Sequence, residues 1–225
     1  MTAASVALVA VLAGGIAIAA SAIGVGTVAQ RAVRPNTPVQ VADTVPAPST
    51  PYRLPVDPDL GPGWNPTHHD YPATDVFLGC GADVFSPVRG TVSHVRRVDA
   101  WDPSVDDPAT RGGRSVAVVG DDGVRYYFAH FASIEPGIEV GDRVVDGRRL
   151  GAIGASGRAS GCHLHVGISP PCPQEEWSVR RGVVWPYPYL DDWRAGGRRS
   201  PAPEVRAWAE AHPDACAVAA TTTTD

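Results

Sequence analysis

Alternation between apolar and polar positions dominates the middle of the chain and is interrupted by glycine-containing turns. Runs rich in β-branched, aromatic and other apolar residues occupy positions 83–85, 90–95, 115–119, 124–131, 148–153 and 163–168. Successive side chains of a strand point to opposite faces, so these short runs predict half-buried strands. The turn at 120–123 (GDDG) predicts a hairpin. We expect a mainly β domain, built as an antiparallel β-sheet or sandwich.

The run at 163–168 places two kinds of side chain on the two faces of one strand. His163 and His165 share one face. The other face carries apolar side chains, those of Leu164, Val166 and Ile168. Neutral imidazole is a good zinc ligand, and two imidazoles on one face can aim at a common point. Such pairs also occur on solvated sheet faces, so this run alone decides no function.

The two ends of the chain differ in composition from this central region. Residues 2–29 carry no charge and form an apolar run long enough to cross a bilayer. The composition predicts a signal peptide or membrane anchor at 1–30, a proline-rich linker at 31–62, the folded domain at 63–193 and a C-terminal helix and tail at 194–225. The helix is expected at 203–211.

Charge and cysteine content narrow the range of functions. The net charge of −5 argues against a nucleic-acid partner, because phosphate binding needs a concentrated basic surface. All 19 basic residues are arginine, which excludes chemistry that needs a lysine amine. Two disulfides are favoured over a cysteine zinc site, since there is no C-x-x-C pair. Their pairing is open among Cys80, Cys162, Cys172 and Cys216.

Two further segments are rich in groups that bind ligands. The long loop at 99–113 contains Trp101 and four aspartates and is expected to border a substrate groove. Its carboxylate spacing matches no EF-hand loop, so a solvated acidic loop is favoured over a calcium site. The segment at 170–193 concentrates tryptophan and tyrosine among prolines. We expect these rings to pack against the sheet rather than to stack on sugars.

Several blocks of the chain occur in an order known from one peptidase family. They are HHDYPATD at 68–75, GADVFSPVRGTV at 81–92, YFAHF at 127–131, VGDRV at 140–144, the glycines of 147–151, and the histidine strand. In this order they resemble the LytM/lysostaphin-type (M23) zinc metallopeptidases, which cleave peptide cross-links in bacterial peptidoglycan. The resemblance covers about 67–169 and includes every histidine and carboxylate that the family pattern expects.

The resemblance implies a zinc site and a pair of catalytic histidines. Carried over to this chain, the zinc ligands are His69, Asp75 and His165, and catalytic zinc keeps a further position open. His130 and His163 resemble the pair that contacts the attacking water and the developing oxyanion. Which of these two acts as the general base is left open.

The first motif departs from the family pattern, because its histidine and aspartate lie further apart than is common. Five residues separate His69 from Asp75, and six separate His68 from it. We predict His69 as the ligand, since an extended segment would show positions 69 and 75 on one face and turn His68 away. A bulge at Pro72 would change that count.

The resemblance also implies an activity and a location. We expect a zinc-dependent endopeptidase that acts on peptidoglycan stem peptides or cross-links in the bacterial envelope, outside the cytoplasm, either secreted or anchored through 1–30. Arginines at 31 and 34 would favour a cytoplasmic domain under the positive-inside rule, but a domain that acts on peptidoglycan needs export. The alternative is a non-catalytic family member that binds the wall or regulates other hydrolases. A lipoyl-like carrier at 140–151 lacks the lysine it would need.

Overall fold

Strands account for most of the regular structure in the computed structural model, which describes residues 52–172 and 177–216. The strands are β1 (Gly63–Trp64), β2 (Thr74–Phe77), β3 (Asp83–Phe85), β4 (Gly90–Arg96), β5 (Ser115–Gly120), β6 (Arg125–Ala129), β7 (Phe131–Ile134), β8 (Arg143–Val144), β9 (Arg149–Ile153) and β10 (Leu164–Ser169). The helices are α1 (Trp177–Arg180), α2 (Tyr187–Arg194) and α3 (Ala202–Ala211). The predicted apolar segment at 1–30, most of the linker and the tail beyond 216 lie outside the described residues.

The strands form two antiparallel sheets. The larger sheet has the order β1-β2-β10-β6-β5-β4-β8, and the smaller has the order β3-β9-β7. Every pairing between these strands is antiparallel. The mainly β fold expected from the alternation of apolar and polar positions is therefore confirmed. The histidine strand β10 lies inside the larger sheet, between β2 and β6.

The predicted runs coincide with β3, β4, β5, β9 and β10 to within one residue at each end. The run at 124–131 is instead divided into β6 and β7 at His130, whose φ is 68°. The strands β1 and β8, of two residues each, and β2, of four, were not predicted from the sequence pattern. Of these, β2 matters most, because it carries Asp75 beside the histidine strand.

Strand β10 is covered on both faces, and all six of its residues are buried. Leu164, Val166 and Ile168 belong to the hydrophobic core, as the sequence pattern predicts. The face that carries His165 is covered by residues 177–182, which we call the strap. A Cβ atom at Gly167 would lie 2.2 Å from the carbonyl oxygen of Arg181, so only glycine lets the strap approach the strand this closely.

A buried arginine fixes the strap over the sheet. Arg125 on β6 is 1% exposed, and its Nη1 donates a hydrogen bond of 2.7 Å to the carbonyl oxygen of Arg180. Gly182 completes the contact, since a Cβ atom there would lie 2.2 Å from the carbonyl oxygen of Pro72. The strap is thus held between β6 and the segment that precedes β2.

The aromatic residues of the C-terminal part mostly pack against the β domain, as expected. Trp193 on α2 is 5% exposed and stacks on Tyr52 with ring centroids 5.3 Å apart. The predicted C-terminal helix is present as α3, and Ala202 and Val205 join the core. Leu54 joins the same core from the end of the predicted linker. Within the described residues, no helix has the length and apolar content needed to cross a membrane.

Two disulfides are present, as the cysteine count predicts, and the structure selects their pairing. Cys80 bonds to Cys162, and Cys172 bonds to Cys216. The first bond ties the loop after β2 to the residue that directly precedes His163. It therefore links the loop that follows β2, the strand of Asp75, to the residues that lead into β10, the strand of His165.

Removing the Cys80–Cys162 bond is expected to lower the free energy of unfolding by about 2–4 kcal/mol, because the bond closes a long loop in the unfolded chain. The measurement is denaturant unfolding of a double serine variant. The matched control is the double serine variant of Cys172 and Cys216, whose sequence separation is 44 rather than 82 and whose loss should be smaller. Equal stability of the first variant and the wild type would contradict the structural role of this bond.

Candidate metal centre

Two neighbouring strands bring a carboxylate and an imidazole directly opposite each other. Asp75 on β2 and His165 on β10 are Cα partners in the antiparallel register. The Nδ1 atom of His165 lies 3.1 Å from Oδ1 of Asp75. His163 enters from the start of β10, with its Nε2 atom 3.7 Å from the same carboxylate oxygen. The strand pairing alone thus gathers three of the site residues predicted from sequence.

Backbone carbonyls fix the orientation of three histidine rings. One nitrogen of each ring faces a carbonyl oxygen: Nε2 of His165 at 3.2 Å from Arg181, Nδ1 of His130 at 2.7 Å from Ser156, and Nδ1 of His163 at 2.9 Å from Gly161. A carbonyl oxygen can only accept a hydrogen bond, so the nitrogen that faces it carries a proton. In a neutral ring the other nitrogen then bears a lone pair, and for His163 and His165 that nitrogen points at Asp75.

In this arrangement, Nδ1 of His165 and Nε2 of His163 both face Oδ1 of Asp75. Burial alone would raise the pKa of Asp75, but the hydrogen bond and charge of His165 outweigh burial and lower it to about 2. The carboxylate is therefore ionised at neutral pH. His165 faces an acceptor on each side, Oδ1 of Asp75 and the carbonyl oxygen of Arg181, and a neutral ring can donate to only one of them. A metal ion between His165 and Asp75 would satisfy the other contact.

His130 reaches the site through a bend in the backbone. Strict alternation along 124–131 would place His130 on the same face as Tyr126 and Phe128, but its φ of 68° interrupts the alternation between β6 and β7. Tyr126 and Phe128 lie in the core, whereas the ring of His130 packs 4.6 Å from that of His163. Burial lowers the pKa of His130 to about 4, so its ring is neutral at pH 7.

Both histidines of the first motif lie close to Asp75. His68, His69 and Asp75 each offer one ligand atom within 4.8 Å of the others, a group that could hold a metal ion. Nε2 of His68 is 3.6 Å from Oδ2 of Asp75, and its ring centroid is 5.1 Å from that of His165. No strand precedes Thr74 in this segment, so the parity reason for choosing His69 does not apply.

The buried state of His68 distinguishes it from its neighbour. Its side chain is 6% exposed and its Nδ1 atom is buried without a hydrogen-bond partner, whereas His69 is exposed. Burial, followed by the charge of His165, lowers the pKa of His68 to about 4. A neutral, buried imidazole with an unpaired nitrogen beside a carboxylate fits a metal ligand.

These side chains lie in an open groove of about 610 Å³. The loop at 99–113 forms part of its border, as predicted, through Pro108, Ala109, Arg111 and Gly112. Asp99 of that loop accepts from the N–H of Gly157, and Asp107 accepts from that of Ala109, whereas Asp106 pairs with Arg111. Within the described residues, this loop contains no cluster of metal-binding groups.

Other groove residues were not predicted from sequence. The strap contributes Trp177, Arg180 and Arg181, and the sheet contributes Tyr127. The carbonyl oxygen of Arg181 faces His165, but the residue type at position 181 does not predict this backbone contact. The available signal is Gly167, because a glycine on the site face of a buried strand indicates that another segment approaches closely.

Together, the β fold and the carboxylate–imidazole cluster in a groove define a candidate metal-binding site of the kind found in hydrolases. The family model named Peptidase family M23 matches residues 69–176, just under half of the chain. This segment contains Asp75, His130, His163 and His165. Residues 69–176 therefore match peptidase family M23. No protein of curated function matches the chain significantly.

Solved structures with similarity to the chain come from several bacteria. A candidate M23 peptidase from Pseudomonas aeruginosa is 22% identical, with a TM-score of 0.45, over 62% of this chain and 52% of that one. The catalytic domain of lysostaphin from Staphylococcus simulans is 21% identical, with a TM-score of 0.44, over 57% and 89%. A zinc-containing peptidase from Vibrio cholerae is 23% identical, with a TM-score of 0.42, over 59% and 38%. The chain thus spans about half of the Pseudomonas protein.

Proposed function

We propose that this protein is a zinc-dependent endopeptidase that hydrolyses peptide bonds in bacterial peptidoglycan. The observation that carries the proposal is the set of acceptors that converge on Asp75 within an M23 domain. His163 and His165 are held by backbone carbonyls so that their remaining nitrogens face this carboxylate. Imidazole nitrogen and carboxylate oxygen are the ligands that zinc takes in catalytic sites, so the donor set fits the metal.

Asp75 and His165 would hold the zinc through Oδ1 and Nδ1, together with a histidine of the His68–His69 pair. When bound, zinc supplies Lewis-acid chemistry that polarises the scissile carbonyl and acidifies water. The carbonyl oxygen of Arg181 accepts from Nε2 of His165, which keeps the lone pair on Nδ1 and fixes the ring orientation.

His130 and His163 would move the protons of the reaction. Their Nδ1 atoms donate to backbone carbonyls, so each Nε2 can accept a proton from the attacking water and return it to the leaving amine. The two rings lie side by side, 4.6 Å apart. An imidazolium at either position would also stabilise the negative charge that develops on the carbonyl oxygen.

The place of action proposed for the protein is the cell envelope, outside the cytoplasm. The two disulfides support this location, because such bonds persist in oxidising compartments and are rare in the cytoplasm. The apolar segment at 1–30 would serve as export signal or anchor, and the proline-rich residues at 31–62 would hold the peptidase domain at 63–193 away from the membrane.

Replacing His68 by alanine is expected to reduce the zinc content more than replacing His69, because His68 is buried against Asp75 and His165 while His69 is exposed. This reverses the choice made from sequence parity. The measurement is metal analysis of both variants after dialysis against a weak chelator. If His69→Ala loses the metal and His68→Ala keeps it, the parity prediction is right and the ligand is His69.

Digestion of purified peptidoglycan tests the function itself. The full-length protein loaded with zinc should release peptide-linked fragments that mass spectrometry identifies as products of amide hydrolysis. A strong chelator should stop the release, and added zinc should restore it. Protein that contains zinc and sediments with peptidoglycan, but cleaves no cross-link type, would instead support a non-catalytic wall-binding protein.

A further inference from the structure

Arg181 presents a charged side chain to the groove beside the proposed zinc site. Its guanidinium lies 3.8 Å from the ring centroid of Tyr71 and 5.1 Å from that of Trp177, and all three residues line the groove. Aromatic rings that contact a planar guanidinium hold it in one orientation. Because its own backbone carbonyl contacts His165, Arg181 is fixed next to the centre.

The side chain of Arg181 has no acceptor among residues 52–172 and 177–216. Its Nε atom is buried without a hydrogen-bond partner. Three other arginines pair with carboxylates, Arg111 with Asp106, Arg143 with Asp121 and Arg149 with Asp83. Arg125, which is buried in the sheet, also has one unpaired nitrogen, Nη2. Arg181 lines the groove, and no carboxylate of the described residues forms an ion pair with its guanidinium, so the side chain can donate to an acceptor on a ligand.

The charge around the groove favours an anionic ligand. The whole chain has a net charge of −5, yet four arginines line the groove: Arg111 and Arg158, which pair with Asp106, and Arg180 and Arg181. The carboxylates that line it are those of Asp70 and Asp75. If Asp75 binds a divalent cation, the net charge of the groove becomes still more positive. Opposite charge in a partly enclosed groove raises the local concentration of an anionic substrate.

We propose that Arg181 binds a free carboxylate of the peptide substrate close to the scissile bond, and that this contact makes the protein select peptides with a carboxylate there over amidated or uncharged ones. A guanidinium can donate two parallel hydrogen bonds to one carboxylate, which gives both affinity and orientation. The inference rests on the proposed peptidase function where it concerns cleavage, but the binding step is independent of catalysis.

A pair of synthetic cross-linked stem peptides tests the proposal. The two peptides are identical except that the carboxylate nearest the scissile amide is free in one and amidated in the other. The first measurement is kcat/KM with the full-length zinc protein. The second is the affinity of the metal-free protein for each peptide by calorimetry, which excludes direct binding of the carboxylate to zinc.

The wild type is expected to prefer the free acid by about 10- to 100-fold in both measurements, as for a hydrogen bond between charged groups. Arg181→Gln should bring this ratio close to one, and Arg181→Lys should leave an intermediate ratio, because it keeps the charge without the planar donor pair. The matched control is Arg194→Gln. Arg194 also stacks on an aromatic ring, that of Trp64 at 4.0 Å, but it lies outside this groove. The Arg194→Gln variant should therefore prefer the free acid over the amide by the same ratio as the wild type.

Each outcome separates this inference from the proposed function. Cleavage of both peptides at equal rates by the wild type would overturn the role of Arg181 and leave the peptidase function standing. Selective binding of the free acid without cleavage would overturn the peptidase function and support Arg181. A preference that survives in Arg181→Gln would overturn the assignment to this residue.

Discussion

Replacing His165 by alanine is expected to empty the metal site and abolish peptidase activity together. His165 is the imidazole closest to Asp75, with Nδ1 3.1 Å from the carboxylate, and it is 4% exposed. Its loss removes one ligand and leaves the partly buried carboxylate of Asp75 without its nearest partner. Metal analysis and peptidoglycan digestion on the same preparation give both readouts.

The control for this prediction is His212→Ala. His212 stacks on Trp208 at the end of α3, is exposed and lies outside the groove, so its removal should change neither zinc content nor activity. Unfolding measurements on His165→Ala show whether the β domain remains intact. Normal zinc content in a folded His165→Ala protein would remove this residue from the ligand set.

Replacing His163 or His130 by alanine is expected to reduce turnover about 100- to 10,000-fold, which is the usual contribution of a general acid–base group. The zinc content should change little, because Asp75, His165 and a histidine of the first motif supply the ligands. Turnover and metal content measured in parallel distinguish the two roles. Cleavage at the wild-type rate by His163→Ala would remove it from the proton-transfer step, and loss of zinc in that variant would make it a ligand.

The parts of the site that were predictable from sequence are those on regular strands. The apolar side chains of 163–168 alternate with histidines, and this alternation survives in the structure because the core buries one face of β10. Glycine turns and β-branched residues likewise predict the bounds of the strands β3, β4, β5 and β9 to within one residue. Periodicity predicts a side chain well wherever burial of one face fixes the register.

Where the backbone departs from a strand, periodicity fails. His130 enters the groove because of its positive φ, a conformation that an isolated sequence does not reveal. His68 lies in an irregular segment that contains bends. Strand alternation predicts that its side chain points away from Asp75, but its Nε2 atom lies 3.6 Å from Oδ2 of Asp75. The strap over β10 and the pairing of the cysteines depend on contacts between distant residues, for which the chain has no local pattern.

The most direct test of the proposed centre is anomalous X-ray scattering at the zinc absorption edge from crystals of the zinc-loaded protein. We predict one strong peak in contact with Nδ1 of His165 and a carboxylate oxygen of Asp75, with a histidine of the His68–His69 pair beside it, and with His130 and His163 facing the groove. Protein that cleaves peptidoglycan but shows the peak elsewhere, or shows none, would contradict a catalytic zinc at Asp75.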